Sequence, residues 1–192
     1  MTLIIDRVLD NLSLEFLYKE TLGAPNWSLD RTSGDDDQTS FGGLSLLHAT
    51  EEQVHGQIIN SPYLCGYYIS IYHKILCNFS PQVFQETPLP RRIHLGAKYK
   101  GNVGLPHTDS NVADDTTILF FNNPVWKTEW GGGIIVDNQL IEYVPGRAVI
   151  FSSTTNHYVS PILFDRTPIR LATNYIFRYN INKLGKNENA NI

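Results

Sequence analysis

Residues 93–121 read IHLGAKYKGNVGLPHTDSNVADDTTILFF, and the way this stretch divides decides the fold of the chain. Its two ends, 93–99 and 116–121, have the length and apolar content of strands. Between them lie Gly101-Asn102, a turn signal, and a second glycine at Gly104. Three further strand candidates follow at 133–136, 148–151 and 169–178. They are punctuated by Asn122-Asn123-Pro124, Pro145-Gly146 and Thr167-Pro168. Several short strands separated by Gly, Pro and Asn turns predict a sandwich or jelly roll.

Upstream of residue 88 the pattern is helical. Residues 9–22 place Leu12, Leu14, Phe16 and Leu17 on a rough helical stripe. Thr50 with Gln53 fits a capping box. Ser61-Pro62 offers an N-cap followed by proline at the first helical position, opening the apolar run YLCGYYISIYHKILCNF. The chain is therefore expected to be α+β with a mainly β core. Residues 1–88 supply helical support and first strands, 89–180 the β core, and 181–192 a flexible tail, all within a single domain. Residues 33–40 (SGDDDQTS) read as a polar loop.

Composition excludes more than it suggests. A net charge of -4 argues against nucleic acid or an anionic membrane as partner. No run approaches the ~20 apolar residues of a membrane span. Asp6 and Asp10 sit where a signal peptide would carry a basic start and an apolar run. Cys65 and Cys77 fall in one predicted helix, roughly 18 Å apart, too far to pair. They read as thiols of a reducing cytoplasm, which sets the expected location.

The chemistry concentrates at His107-Thr108-Asp109. In extended backbone alternate side chains share a face, so an imidazole and a carboxylate can address one ion. Two His and one carboxylate on one octahedral face is the pattern of non-haem iron(II) oxygenases. A lone His-x-Asp is common by chance, so a third ligand decides. His48, His55 and His73 lie in the helical half, and His94 precedes the pair. His157, after the strand 148–151 and a short polar loop, is the candidate that remains. Thirteen residues on, Arg170 opens the apolar run RLATNYIF. A buried guanidinium requires an anion, either a structural carboxylate or a dicarboxylate ligand held bidentately.

His107-x-Asp109, His157 and Arg170, in that order, resemble the iron(II)- and 2-oxoglutarate-dependent dioxygenase superfamily, with the prolyl 4-hydroxylase-like branch as the nearest likeness. Tyr99-Lys-Gly-Asn102, Trp130-Gly-Gly-Gly-Ile134, the stretch Tyr143 to Phe151 and His157-Tyr-Val-Ser-Pro161 are similar to segments of that branch. The likeness spans roughly 93–178. It implies a double-stranded β-helix with N-terminal supporting helices. It also implies iron(II) held by His107, Asp109 and His157, and 2-oxoglutarate held through its C5 carboxylate by Arg170, with Tyr99 as a second cosubstrate residue. O2 would be consumed to hydroxylate a C–H bond, with ascorbate as an optional reductant.

The chain departs from the branch in one telling place. Where a tyrosine often bonds the distal carboxylate, it offers Leu119 or Phe120, so another hydroxyl or water is expected there. The presence of Asp109 favours hydroxylation over halogenation. The branch suggests a prolyl residue in a peptide or protein as substrate. A small-molecule hydroxylase and a non-enzymatic, metal-binding jelly roll of cupin type stand as alternatives. Loops 33–41, 110–115 and 123–130 are the candidate substrate determinants. Trp126 and Trp130 would be either packing or an aromatic wall.

Overall fold

The computed structural model describes residues 1–31, 41–48, 57–58, 61–79, 89–102 and 104–181. In chain order these form β1 (Thr2–Ile5), α1 (Asn11–Leu22), β2 (Ser28–Arg31), β3 (Phe41–His48), β4 (Gln57–Ile58), α2 (Pro62–Phe79), β5 (Arg92–Lys98) and β6 (Asp115–Phe121). A 3-10 turn (Thr128–Trp130) precedes β7 (Ile134–Val136), β8 (Gln139–Ile141), β9 (Ala148–Ser152), β10 (His157–Val159) and β11 (Arg170–Arg178). The large sheet runs β1-β9-β6-β11-β5-β3-β2, with β4 paired to β3. The small sheet runs β10-β7-β8. Every pairing is antiparallel. This is the expected double-stranded β-helix.

The large sheet is apolar on both faces, and each face serves a different core. Ile93, Leu95, Ile118, Phe120, Ile150, Leu171, Tyr175 and Phe177 meet the helices. Leu119, Phe121, Val149, Phe151 and Ala172 face Ile134, Val136 and Ile141 of the small sheet. Period-two alternation produces this division, since neighbouring residues of one strand must point opposite ways.

Helix α2 buries Leu64, Cys65, Tyr68, Ile71, Tyr72, Ile75 and Leu76. Their spacing of three and four is one continuous helical stripe. Ser61 Oγ accepts the Leu64 N–H at 3.4 Å, as the Ser-Pro start anticipates. Helix α1 starts two residues later than expected. Asp10 is its N-cap, accepting the Ser13 N–H at 2.9 Å. Leu14 and Leu17 are buried, whereas Leu12 and Phe16 face outward. Cys65 is buried and Cys77 exposed, both as free thiols. No helix among the described residues is long and apolar enough to cross a membrane. The capping box at Thr50, the polar loop 33–40 and the tail from residue 182 onward lie outside the described residues.

Besides the helices, residues 1–88 contribute four strands, β1 to β4, that join the large sheet. One of them, β3, builds a wall of the functional cavity. It carries a register shift between Ser45 and Leu47 against β5. The irregularity lets Leu46 and Leu47 both enter the helix-side core, and it returns His48 to the side of Ser45 that lines the cavity.

Two buried tyrosines make a matched stability test. The Tyr68 hydroxyl contacts Thr21 Oγ1 at 2.8 Å and accepts from Asn122 Nδ2 at 2.6 Å. The Tyr175 hydroxyl is buried with no hydrogen-bond partner among the described residues. Tyr68→Phe should therefore cost about 1–3 kcal/mol in urea unfolding, because it orphans buried partners. Tyr175→Phe should be neutral or stabilising, because it removes an unsatisfied group.

Candidate metal centre

The site is held together first by backbone. His107 and His157 exchange two N–H to carbonyl hydrogen bonds, at 3.1 and 2.9 Å, forming an isolated antiparallel bridge. Their rings lie with centroids 4.5 Å apart. The N–H groups of Asp109 and Ser110 both donate to the Ser153 carbonyl, at 3.0 and 3.2 Å, which fixes the carboxylate beside them. Ser110 Oγ donates to Asp115 at 2.7 Å and ties the following loop down.

Both imidazoles are prepared as ligands through the nitrogen pointing away from the chain. His107 Nδ1 is 2.9 Å from the Leu105 carbonyl and His157 Nδ1 is 3.0 Å from the Thr155 carbonyl. A carbonyl can only accept, so each Nδ1 carries the proton and each Nε2 presents a lone pair. The ligand atoms of His107, Asp109 and His157 all lie within 4.8 Å of one another. His157 Nε2 stands 3.5 Å from Asp109 Oδ2. Adjacent ligands with bonds of about 2.1 Å sit roughly 3 Å apart, so one divalent ion fits with small adjustment.

Asp109 is held by side chains that sequence reasoning missed. Arg92 Nη2 donates to Oδ1 at 2.9 Å, while Thr117 Oγ1 and Asn174 Nδ2 each donate to Oδ2 at 2.8 Å. Burial alone would raise the Asp109 pKa. The charge of Arg92, then that of His157 and the two hydrogen bonds, outweigh it and hold the carboxyl below its usual value. Burial pushes His157 below the ordinary histidine value, partly offset by Asp109. The triad therefore holds a carboxylate and a neutral imidazole at neutral pH, the forms a metal needs. The missed partners sit on three different strands, at 17, 8 and 65 residues from Asp109, and no local motif marks them.

A cavity of about 330 Å³ joins the triad to Arg170 across Leu119, Ile134 and Ala172. Arg170 is 2% exposed. Its Nε donates to the Gly132 carbonyl, and its guanidinium stacks over Phe121 and Tyr143 at 5.6 and 5.4 Å. Its Nη2 is buried without a partner, and no carboxylate pairs with it among the described residues. Burial brings its pKa down to about 10, against a smaller raising influence of Tyr143. A site for a carboxylate-bearing ligand explains these features together. The structural carboxylate that sequence analysis left open is not found.

The glycine run beside Arg170 has a steric cause. A Cβ on Gly132, whose φ is +69°, would lie 3.0 Å from the Trp126 ring and 3.2 Å from Arg170 Cδ. Trp126 is buried in the inter-sheet core, and its indole N–H donates to the Gly131 carbonyl at 3.0 Å. It packs under the clamp and does not line the cavity.

Tyr99 is not brought into this site. It is 60% exposed and lies outside the cavity lining. Alternation along β5 points Lys98 inward, directly opposite Arg170 in the β5–β11 register. A shift of one residue along a strand changes the face, so Tyr99 stands outside the cavity that its neighbour Lys98 lines. Lys98 is 5% exposed and lines the cavity. Leu119, not Phe120, occupies the inner face of β6. Tyr143 is near Arg170, but its hydroxyl already donates to the Leu171 carbonyl at 2.6 Å and accepts the Asn123 N–H at 2.7 Å.

No protein-family model matches the chain, and no curated protein matches it. Solved structures do match in fold. A prolyl-4-hydroxylase from Pseudomonas putida aligns over 92% of this chain and 92% of its own, with a TM-score of 0.66 at 15% identity. A 2OG-Fe(II) oxygenase-family oxidoreductase from Burkholderia pseudomallei aligns over 92% and 84%, at 0.68 and 15%. The non-heme alpha-ketoglutarate dependent epimerase SnoN of nogalamycin biosynthesis aligns over 93% and 77%, at 0.64 and 12%. The chain thus has the fold of the 2OG-Fe(II) oxygenases.

Arg170→Met separates a ligand clamp from a structural ion pair. A base whose pKa burial brings down from its ordinary high value to about 10 weakens the fold at neutral pH. The penalty is roughly 3 kcal/mol at 1.4 kcal/mol per unit, and it is relieved only as pH rises past the folded value. Without ligand, Arg170→Met should melt no lower than wild type at pH 7. The stabilisation of wild type by 2-oxoglutarate with a divalent metal, about 2.7 kcal/mol at a hundredfold excess over Kd, should vanish in the variant. A large loss of stability without ligand would identify Arg170 as structural.

Proposed function

We propose that the chain is an iron(II)- and 2-oxoglutarate-dependent oxygenase that hydroxylates a C–H bond. One observation carries the reading. A prepared His-Asp-His triad shares a small cavity with a buried guanidinium that has no anionic partner among the described residues. A cupin-type metal protein would need the triad alone. Arg170 with its orphaned Nη2 calls for a carboxylate as well.

His107, Asp109 and His157 would hold the iron, each offering one atom on the same side. Arg170 would receive the C5 carboxylate of 2-oxoglutarate, with Lys98 facing it across the β5–β11 pair. When bound, iron and cosubstrate supply the oxidation of a C–H bond by O2, 2-oxoglutarate leaving as succinate and carbon dioxide. The protein positions both and keeps water out. Leu119, Ile134 and Ala172 form the apolar floor between metal and clamp. Thr117, Asn174 and Arg92 hold the Asp109 carboxylate still.

The prolyl-4-hydroxylase among the structural matches supports a prolyl residue in a peptide or protein as substrate. The match to SnoN, together with a cavity at the small end of ligand sites, supports a small molecule as the second reading.

The purified protein with Fe(II), ascorbate and 2-oxoglutarate should form succinate, and a substrate from a panel of prolyl peptides and small acids should accelerate it. His107→Ala and Asp109→Ala should lose iron affinity by at least tenfold. Absence of both 2-oxoglutarate binding and any uncoupled succinate would end the oxygenase reading.

A further inference from the structure

We infer that the substrate carries a carboxylate, received by Arg92 and His94 at the end of the cavity opposite Arg170. This rests on the oxygenase reading and names the substrate class of that site.

The inner face of β5 presents Arg92, His94, Gly96 and Lys98 in sequence. Lys98 lies opposite Arg170, His94 opposite Asn174, and Arg92 opposite Ile176. Six positions of strand, roughly 20 Å, separate Arg92 from Lys98. Asp109 contacts Arg92 and Asn174, so the metal centre lies toward the Arg92 end. The cosubstrate would extend from the metal toward Arg170, which leaves the Arg92 end to the substrate. Ser45 and His48 of β3 line that end too, and Ser45 Oγ lies 3.2 Å from His94 Nδ1.

Charge decides what this wall can receive. A metal dication, one carboxylate ligand, one guanidinium and a dianionic cosubstrate sum to zero. That is the complement the proposed chemistry requires. Lys98 at the Arg170 end and Arg92 at the other each add a positive charge beyond it, in a cavity whose sole acid among the described lining residues is Asp109. A third of the Arg92 side chain remains exposed (33%), and its Nε is buried with no hydrogen-bond partner. Metal binding draws Asp109 charge away from Arg92, and the imidazoles of His48 and His94 beside it can donate hydrogen bonds. A neutral substrate would leave the Arg92 charge without an anion at its own end of a partly enclosed site, whereas a carboxylate would neutralise it there, Lys98 lying beside the cosubstrate at the other end.

The test is ligand-observed NMR on the full chain loaded with Zn(II), which cannot be oxidised, and 2-oxoglutarate. The probes are N-acetyl-L-amino acids as free acids and as the matching primary amides, N-acetyl-L-proline among them. Some acids should bind at least tenfold more tightly than their amides. Arg92→Gln should erase that preference, and His48→Glu, at the open end of the wall, should reduce it. If Arg92 acted only by supporting Asp109, Arg92→Gln would weaken Zn(II) and both probe series alike, and the assignment would be wrong. Equal binding of acids and amides, or no binding of either to protein that holds Zn(II) and 2-oxoglutarate, would overturn it as well. Failure of 2-oxoglutarate itself to bind would instead remove the oxygenase reading, and this inference with it.

Discussion

The two backbone hydrogen bonds between His107 and His157 are the constraint on which the site depends. They join the segment leading into β6 to the first residue of β10, and so lace one sheet to the other. With the backbones paired, the rings are neighbours by construction, and each Nδ1 finds a carbonyl two residues upstream in its own chain. The geometry of the imidazoles thus rests on main chain, which no side-chain substitution removes. Asp109 is different. Its main chain is anchored on the Ser153 carbonyl, but its carboxylate is oriented by Arg92, Thr117 and Asn174, contributed by β5, β6 and β11. The carboxylate is the part of the triad most exposed to mutation elsewhere.

Strand β11 links the His-Asp-His triad to the Arg170 end of the cavity. Arg170 and Asn174 stand four residues apart on its inner face, one at the clamp and one on the Asp109 carboxylate. Leu171, Tyr175 and Phe177 on its outer face are buried against the helices. A slip of one residue would turn both functional side chains into the helix-side core and bring Leu171 and Tyr175 into the cavity. The apolar outer face therefore enforces the register of the polar inner one. This gives the supporting helices a role in the chemistry although neither supplies a residue to the cavity.

The sequence was legible where chemistry is local and opaque where it is assembled. His107, Asp109, His157 and Arg170 announced themselves by residue type, order and flanking turns, and the structure brings the three ligands together with Arg170 in one cavity. The structure leaves Tyr99 outside that cavity, because strand periodicity resolves a face only when the strand's phase is known, and Lys98 and Tyr99 at the end of β5 offer two phases. Thr117, Asn174 and Arg92 were invisible for another reason. A threonine, an asparagine and one of two adjacent arginines carry no signal until three strands are set side by side. The strands of the first half were obscured because β3 carries Gly42 and Gly43 and is irregular in register, and so breaks the alternation by which a strand is recognised.

The overall charge of -4 is a further case of an average concealing a local arrangement. Arg92, Lys98 and Arg170 all face one cavity, with Asp109 as the single acid among its described lining residues. An acidic exterior around a basic interior need not repel an anion at the mouth, since a concave low-dielectric wall concentrates the field of the charges that line it. Arg170 is the costly member of the set, since burial lowers its pKa and no carboxylate of the described chain compensates it. Such a group weakens the folded state until its ligand arrives, and the same deficit then strengthens the hold on that ligand. Stability and binding are opposed at Arg170 for one physical reason, the desolvation of an unpaired cation. An apolar residue at that position would suit the fold better, so its presence is best explained by what it binds.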